Sequence, residues 1–207
     1  MKGEAKELYE GIRQDLIRLN AYWQVYKQLF TVSEDRYDVF NETAPAFFRL
    51  LQDVLVDNAV ISLSRLTDPA QYQSFTRLVR ALKGQVRHDF YQQLREDLAR
   101  LEAACADVRE HRHKRVAHRP ARAAQPRFTD APIRLPPLTR KKIQGAMDSM
   151  ASLMNKVLGY FEDVEQFYEP VMRGDADSMF FYLKKGYEAS SRPSLARSSA
   201  PQSSKSA

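Results

Sequence analysis

Residues 5–30 read AKELYEGIRQDLIRLNAYWQVYKQLF. Leu8, Ile12, Leu16, Leu19, Trp23, Tyr26 and Phe30 recur at spacings of three and four, the pattern of one buried face of an α-helix. Working outward, the same spacing returns between the prolines, which fall at 45, 69, 120, 126, 132, 136, 137, 170, 193 and 201. A second helix is predicted from about Ala46 to Leu66. Pro45 suits its first turn, and Asp68-Pro69 stops it, because the residue before a proline is driven out of helical backbone. A short helix over about Ser74 to Lys83 is closed by Gly84. The longest helix is expected from about Arg87 to His113, on the stripe Phe90, Leu94, Leu98, Leu101, Cys105 and Val108. Another runs from about Thr139 to Tyr168, with Ile143, Met147, Met150, Met154, Val157, Phe161 and Val164 on its face, and Pro170 beyond it. Asp175 to Tyr187 form a short terminal helix. No internal repeat is visible and no segment alternates convincingly as a strand, so the expected fold class is an all-α helical bundle.

Composition bounds what this bundle can do. The chain has 207 residues, 43% hydrophobic and 28% charged, enough for one packed domain of ordinary size. That domain is expected over residues 1–189, with a basic, proline-rich loop at about 120–137 that has no apolar period. Residues 190–207, SSRPSLARSSAPQSSKSA, hold eight serines and almost nothing apolar larger than alanine, so a disordered tail is expected. Seven glycines argue against a glycine-rich phosphate loop. A single cysteine, Cys105, excludes an intramolecular disulfide and suits a reducing compartment. The opening MKGEAKELYEGIRQDL lacks the apolar core of a secretory signal, and no uncharged apolar run approaches a membrane span. A cytoplasmic protein with no membrane partner is the expectation.

The net charge of +6 is unevenly spread. Between Arg109 and Lys142 stand 11 Lys or Arg against Glu110 and Asp130, a local net of +9. The tail adds +3 through Arg192, Arg197 and Lys205, which leaves the remainder of the chain at −6. A basic patch on an acidic body points to a polyanion site, while an Arg-rich solvated linker has the same composition.

The apolar stripe of the longest helix runs into Arg112. A guanidinium on a core-facing stripe must be paired or face a cleft. His118 follows six residues later, about 120° away on an unbroken helix. The two converge only if the helix frays before Pro120 or if a second copy of the segment supplies the complement. On the residues alone, two readings stay open. His118 can be a proton carrier with its ordinary pKa near neutrality, or a histidine set favourably against a helix C-terminus with Arg112 as an ion-paired residue. Asn58 and Arg65 interrupt the stripe Phe47, Leu51, Val54 with polar groups. They either hydrogen-bond Arg112 across the bundle or sit at a partly wet edge. Cys105, His111, His113 and His118 do not read as a zinc site, because residues two apart on a helix point to different sides and no Cys pair or His-x-x-x-His is present. No metal or other cofactor is expected.

Arg112-His113-Lys114-Arg115-Val116-Ala117-His118 resembles the motif of the HEPN superfamily, in which an arginine, a polar residue and four further residues precede a histidine. Ala21-Tyr22-Trp23, Phe47-Phe48-Arg49-Leu50-Leu51-Gln52, Ser64-Arg65-Leu66-Thr67-Asp68-Pro69 and Lys114-Arg115-Val116-Ala117-His118-Arg119 together resemble its abortive-infection U-type branch, over roughly residues 5 to 170. The resemblance implies a helical bundle, usually paired with a second copy, acting as a metal-independent ribonuclease. In that role Arg112 and His118 are the catalytic candidates, the first binding transition-state charge and the second moving protons. His113, Lys114, Arg115 and Arg119 hold the RNA backbone. HEPN toxins that a partner nucleotidyltransferase modifies carry a tyrosine two residues after the histidine. Pro120 stands there in this chain, so the resemblance does not extend to that form of regulation.

The expected function is therefore a metal-independent endoribonuclease of anti-phage or toxin type. RNA, a second copy of the chain and an antitoxin or other defence-system protein are its expected partners. Two alternatives stand beside it: a non-catalytic RNA-binding or protein-interaction module of the same fold, and a purely structural bundle dimerising through its last long helices.

Overall fold

The long apolar stripes form helices that face one another, except the stripe Phe47, Leu51 and Val54 of the second predicted helix: Phe47 and Val54 are exposed, and Phe48, Leu55, Ala59, Leu63 and Leu66 face the core in their place. In a computed structural model, residues 1–31, 33–113, 138–170, 172 and 174–191 are described. They contain helices and no strand: α1 (Gly3–Phe30), α2 (Glu34–Thr43), α3 (Pro45–Thr67), α4 (Phe75–Ala81), α5 (His88–Ala104), α6 (Ala106–His111), α7 (Arg140–Glu162) and α8 (Asp175–Ser191). The all-α expectation holds for them. The loop expected at about 120–137 lies outside the described residues, and so does all but the first two residues of the expected tail.

α1 is the axis of the bundle. It packs on α3 along most of its length and also touches α2, α4, α7 and α8. Leu8, Ile12, Leu16, Leu19 and Trp23 on its face are almost fully buried. Trp23 stacks on Tyr26 with ring centroids 4.7 Å apart, and its indole N–H donates to Gln144 Oε1 at 2.9 Å, joining α1 to α7. Met147, Met150 and Met154 fill the opposite wall of the core. Pro45 sits in the first turn of α3, and Thr139 caps α7 by accepting from the Lys142 amide at 3.3 Å. Gly84, with φ at +83°, follows the last turn after α4, a left-handed position that a side chain rarely adopts.

Four further expectations are corrected. Apolar spacing predicts no helix where α2 forms, because EDRYDVFNET offers only two apolar residues, Val39 and Phe40, to the core. Tertiary contacts hold it: Phe40 stacks on Phe48 at 3.8 Å, and buried Arg36 reaches Asp177 on α8 and lies over Phe180. The longest predicted helix is divided at Cys105, whose ψ of 3° bends the chain. The hydrogen bonds Cys105 N–H to Leu101 O and Arg109 N–H to Cys105 O, both 3.0 Å, keep the two pieces continuous. α7 ends at Glu162 rather than Tyr168. Asp163 adopts left-handed backbone, and Asn155 turns the chain back by exchanging two 3.0 Å hydrogen bonds with the backbone of Gln166. Val164 is consequently exposed rather than on the core face. The terminal helix, finally, runs on to Ser191 instead of stopping at Tyr187.

Candidate functional site at the junction of α3 and α6

The last turns of α3 and α6 advance together. Ser64 on α3 donates its hydroxyl to the Val108 carbonyl of α6 at 3.4 Å, with Val108 and Leu63 buried beneath. One turn on in both helices, Arg112 Nη1 lies 3.9 Å from Asp68 Oδ2. That distance exceeds a hydrogen bond and describes an ion pair. Arg112 is 38% exposed and Asp68 25%, so the pair sits at the surface of the bundle and not in its core. Arg112 keeps helical backbone, its amide donating to the Val108 and Arg109 carbonyls.

Asp68 is held from several sides. Its Oδ1 accepts from the Ala70 amide at 2.9 Å, the hydrogen bond of an Asx turn at Pro69, and its Oδ2 from Gln71 Nε2 at 3.4 Å. Beside it, Arg65 pairs with Asp15 of α1 at 2.6 Å, and Gln73 donates to the same carboxylate at 2.8 Å. Gly11 leaves the room this needs, since a Cβ there would meet Gln73 Nε2 at 2.4 Å. Arg65 is thus committed to Asp15 and does not bond Arg112. Asn58, half-buried, accepts from the Ser62 hydroxyl at 3.5 Å. The sequence reading missed Asp68, Asp15 and Gln73. Asp68 is visible in the sequence as a stop signal and as part of the Ser64–Pro69 segment of the resemblance, and nothing local shows that Arg112 reaches it.

His113 is exposed at the end of the described stretch and has a partner there. Lys114, Arg115, His118 and Arg119 lie outside the described residues, so the approach of His118 to Arg112 does too. The flanking helices are tied together: Asp107 on α6 is ion-paired with Lys142 in the first turn of α7. Cys105 is fully buried at the bend. Burial pushes its thiol up to about 11, against the opposing pull of Arg109 and a hydrogen bond with Thr67, which makes it a poor nucleophile near neutral pH. Among the described residues, no three His, Cys, Asp or Glu side chains converge to hold a metal ion. No helix among them is long and apolar enough to cross a membrane.

What the junction can do chemically follows from these distances. A guanidinium on a loose, solvent-reachable ion pair can exchange its carboxylate for another oxyanion, such as a phosphodiester, at modest cost. Comparison with curated proteins and with solved structures finds no match. The HEPN family described as AbiU2 matches residues 2–179, which spans α1 to α7 and the first turn of α8. By that match, and by the helical bundle that carries it, the chain belongs to the AbiU2 family of HEPN proteins, the abortive-infection U-type branch.

Proposed function

We propose that the chain is a metal-independent endoribonuclease acting in abortive infection or a related toxin-type defence, with Arg112 and His118 as its catalytic pair. The observation that supports this most is the state of Arg112. It stands at the end of α6, where the segment of +9 begins, half in contact with solvent and held by Asp68 at 3.9 Å. In the proposed reaction the RNA supplies its own nucleophile. The 2′-oxygen attacks the adjacent phosphorus, the P–O5′ bond breaks, and the 2′-hydroxyl proton passes to His118, which protonates the departing 5′-oxygen. Arg112 neutralises charge on the phosphorane-like transition state. His113, Lys114, Arg115 and Arg119 bind backbone phosphates without reading sequence, and a second copy of the chain and a defence-system partner complete the assembly.

The test is cleavage of a defined RNA. Expected are activity in excess chelator, resistance at a nucleotide bearing a single 2′-deoxy substitution, a 5′ fragment ending in a 2′,3′-cyclic phosphate, and loss of cleavage in folded His118→Ala. Loss in chelator that Mg²⁺ restores, or efficient cutting of DNA, overturns the mechanism.

A second reading has its own observation. Arg112 already possesses an internal counter-charge in Asp68, as a purely structural arginine requires. In that reading the fold is a non-catalytic RNA-binding or protein-interaction module. It predicts RNA affinity that falls with salt and survives His118→Ala, with no cleavage by the wild type.

A further inference from the structure

α2, the end of α1 and the start of α3 border a cleft of about 680 Å³, within the size range of small-molecule sites. One wall of it is a fixed aromatic ring. Tyr37 donates its hydroxyl to the Phe30 carbonyl at 2.6 Å, which holds the ring in place, yet the residue is 40% exposed. Phe40, stacked on Phe48, backs the cleft. An exposed ring anchored at its far end is a platform for a planar group, because the fold has already ordered it before anything binds.

Three polar side chains line the same cleft: Asn41 on α2, and Arg49 and Gln52 as neighbours on one face of α3. None of the three has a hydrogen-bond or ion-pair partner among the described residues. At the other end of α3 the polar groups are engaged, with Arg65 and Gln73 both holding Asp15. Asp53, one turn beyond Arg49, also lines the cleft and has a partner of its own. No acid stands in the first turn of α3 to compete for Arg49. The chemistry of these groups selects a ligand. A flat ring takes the face of a heteroaromatic base. A carboxamide offers a donor beside an acceptor, which matches N7 and the N6 amino group of adenine. Guanine presents two acceptors along the same edge and does not match it. The Arg49 guanidinium is left to hold a phosphate in bidentate fashion.

We propose that this cleft binds an adenine mononucleotide, with the base stacked on Tyr37, its edge on Asn41 and Gln52, and its phosphate on Arg49. Arg49 lies about 29 Å along α3 from Asp68, so the site is separate from the Arg112 junction and stands independently of the ribonuclease reading. A ligand seated there joins α2 to α3.

The experiment is calorimetric titration of the full chain with AMP, adenosine and GMP. Expected is saturable binding of one AMP per chain. Adenosine, which lacks the phosphate, and GMP, which mismatches the carboxamides, should each bind about tenfold more weakly. Arg49→Ala should lower the affinity for AMP to that for adenosine and leave adenosine unchanged; Arg49 faces solvent, so folding is not at stake. Tyr37→Leu keeps an apolar side chain without a ring, and should weaken AMP and adenosine alike by about tenfold. Asn41→Ala/Gln52→Ala, which removes no bond within the described chain, should erase the preference for AMP over GMP and so tests the site even where Tyr37→Leu loosens α2. No saturable binding of AMP at millimolar concentration overturns the proposal. AMP binding that Arg49→Ala leaves intact, or that Arg112→Ala removes, overturns it by placing the nucleotide elsewhere. So does a preference for AMP that survives Asn41→Ala/Gln52→Ala. An oligoribonucleotide with a 5′-adenylate end that displaces AMP and binds more tightly, through Arg49, overturns it as well, because the cleft then seats an RNA end.

Discussion

Replacing Arg112 by alanine separates a chemical role from a structural one, because the structure sets the stability cost low. Two unit charges 3.9 Å apart attract by ~1 kcal/mol in water-like surroundings and by ~4 kcal/mol at an effective dielectric of 20. With Arg112 38% and Asp68 25% exposed, screening favours the lower figure. The entropy of fixing two side chains takes back part of it, which leaves ~0–1 kcal/mol net. Asp68 is not stranded by the change, since the Ala70 amide and Gln71 still donate to it. For a chain of this length, ~1 kcal/mol moves Tm by about 2–4 °C. Loss of a group that binds transition-state charge, by contrast, lowers kcat by roughly 10²–10³. The assay is a paired one: thermal unfolding followed by circular dichroism, and initial rates on a fluorescent RNA substrate. The expected result is a Tm within about 4 °C of wild type and a rate at least a hundredfold lower. A folded Arg112→Ala chain that cleaves RNA at the wild-type rate refutes the catalytic assignment. A fall in Tm well beyond 4 °C refutes the claim that the ion pair is a surface one.

Three further outcomes test the fold. Asn155→Ala removes both hydrogen bonds to Gln166, and should cost about 1–3 kcal/mol and raise amide exchange over residues 163–168; unchanged exchange would show that Asn155 does not turn the chain. Burial tends to raise the Asp97 carboxyl, but Lys156 and Arg100 outweigh it and hold the group below the usual carboxylate range. Its stabilising contribution is therefore full above the unfolded pKa and lost as pH falls through the lower folded value; Asp97→Asn should flatten the acid limb of the stability curve, and a curve identical to wild type would contradict this. Cys105, buried with its thiol raised to about 11, should react with a soluble disulfide reagent at pH 8 only as fast as the chain opens; prompt reaction in the folded protein would show that the bend is accessible.

The sequence by itself determined the helix class and most helix positions, because apolar spacing is a local property. Leu8 through Phe30 specify α1, Pro45 and Asp68-Pro69 bracket α3, and Gly84 follows α4. The charge asymmetry and the arginine at the end of the fourth stripe were legible in the same way. Tertiary structure decided what depended on a distant partner. α2 exists because Phe40 finds Phe48 and Arg36 finds Asp177, neither of which lies within the helix's own ten residues. α7 stops at Glu162 because Asn155 captures the backbone of Gln166, although the apolar period continues to Val164. The junction itself is of this kind. Spacing left open whether Asn58 and Arg65 meet Arg112 or sit at a partly wet edge; Arg65 is taken by Asp15 from α1, and Arg112 meets Asp68, 44 residues away in sequence. Spacing along a chain says which face a residue lies on. Which charge it meets there is fixed only when two helices dock in register, here when Ser64 seats on Val108 one turn above.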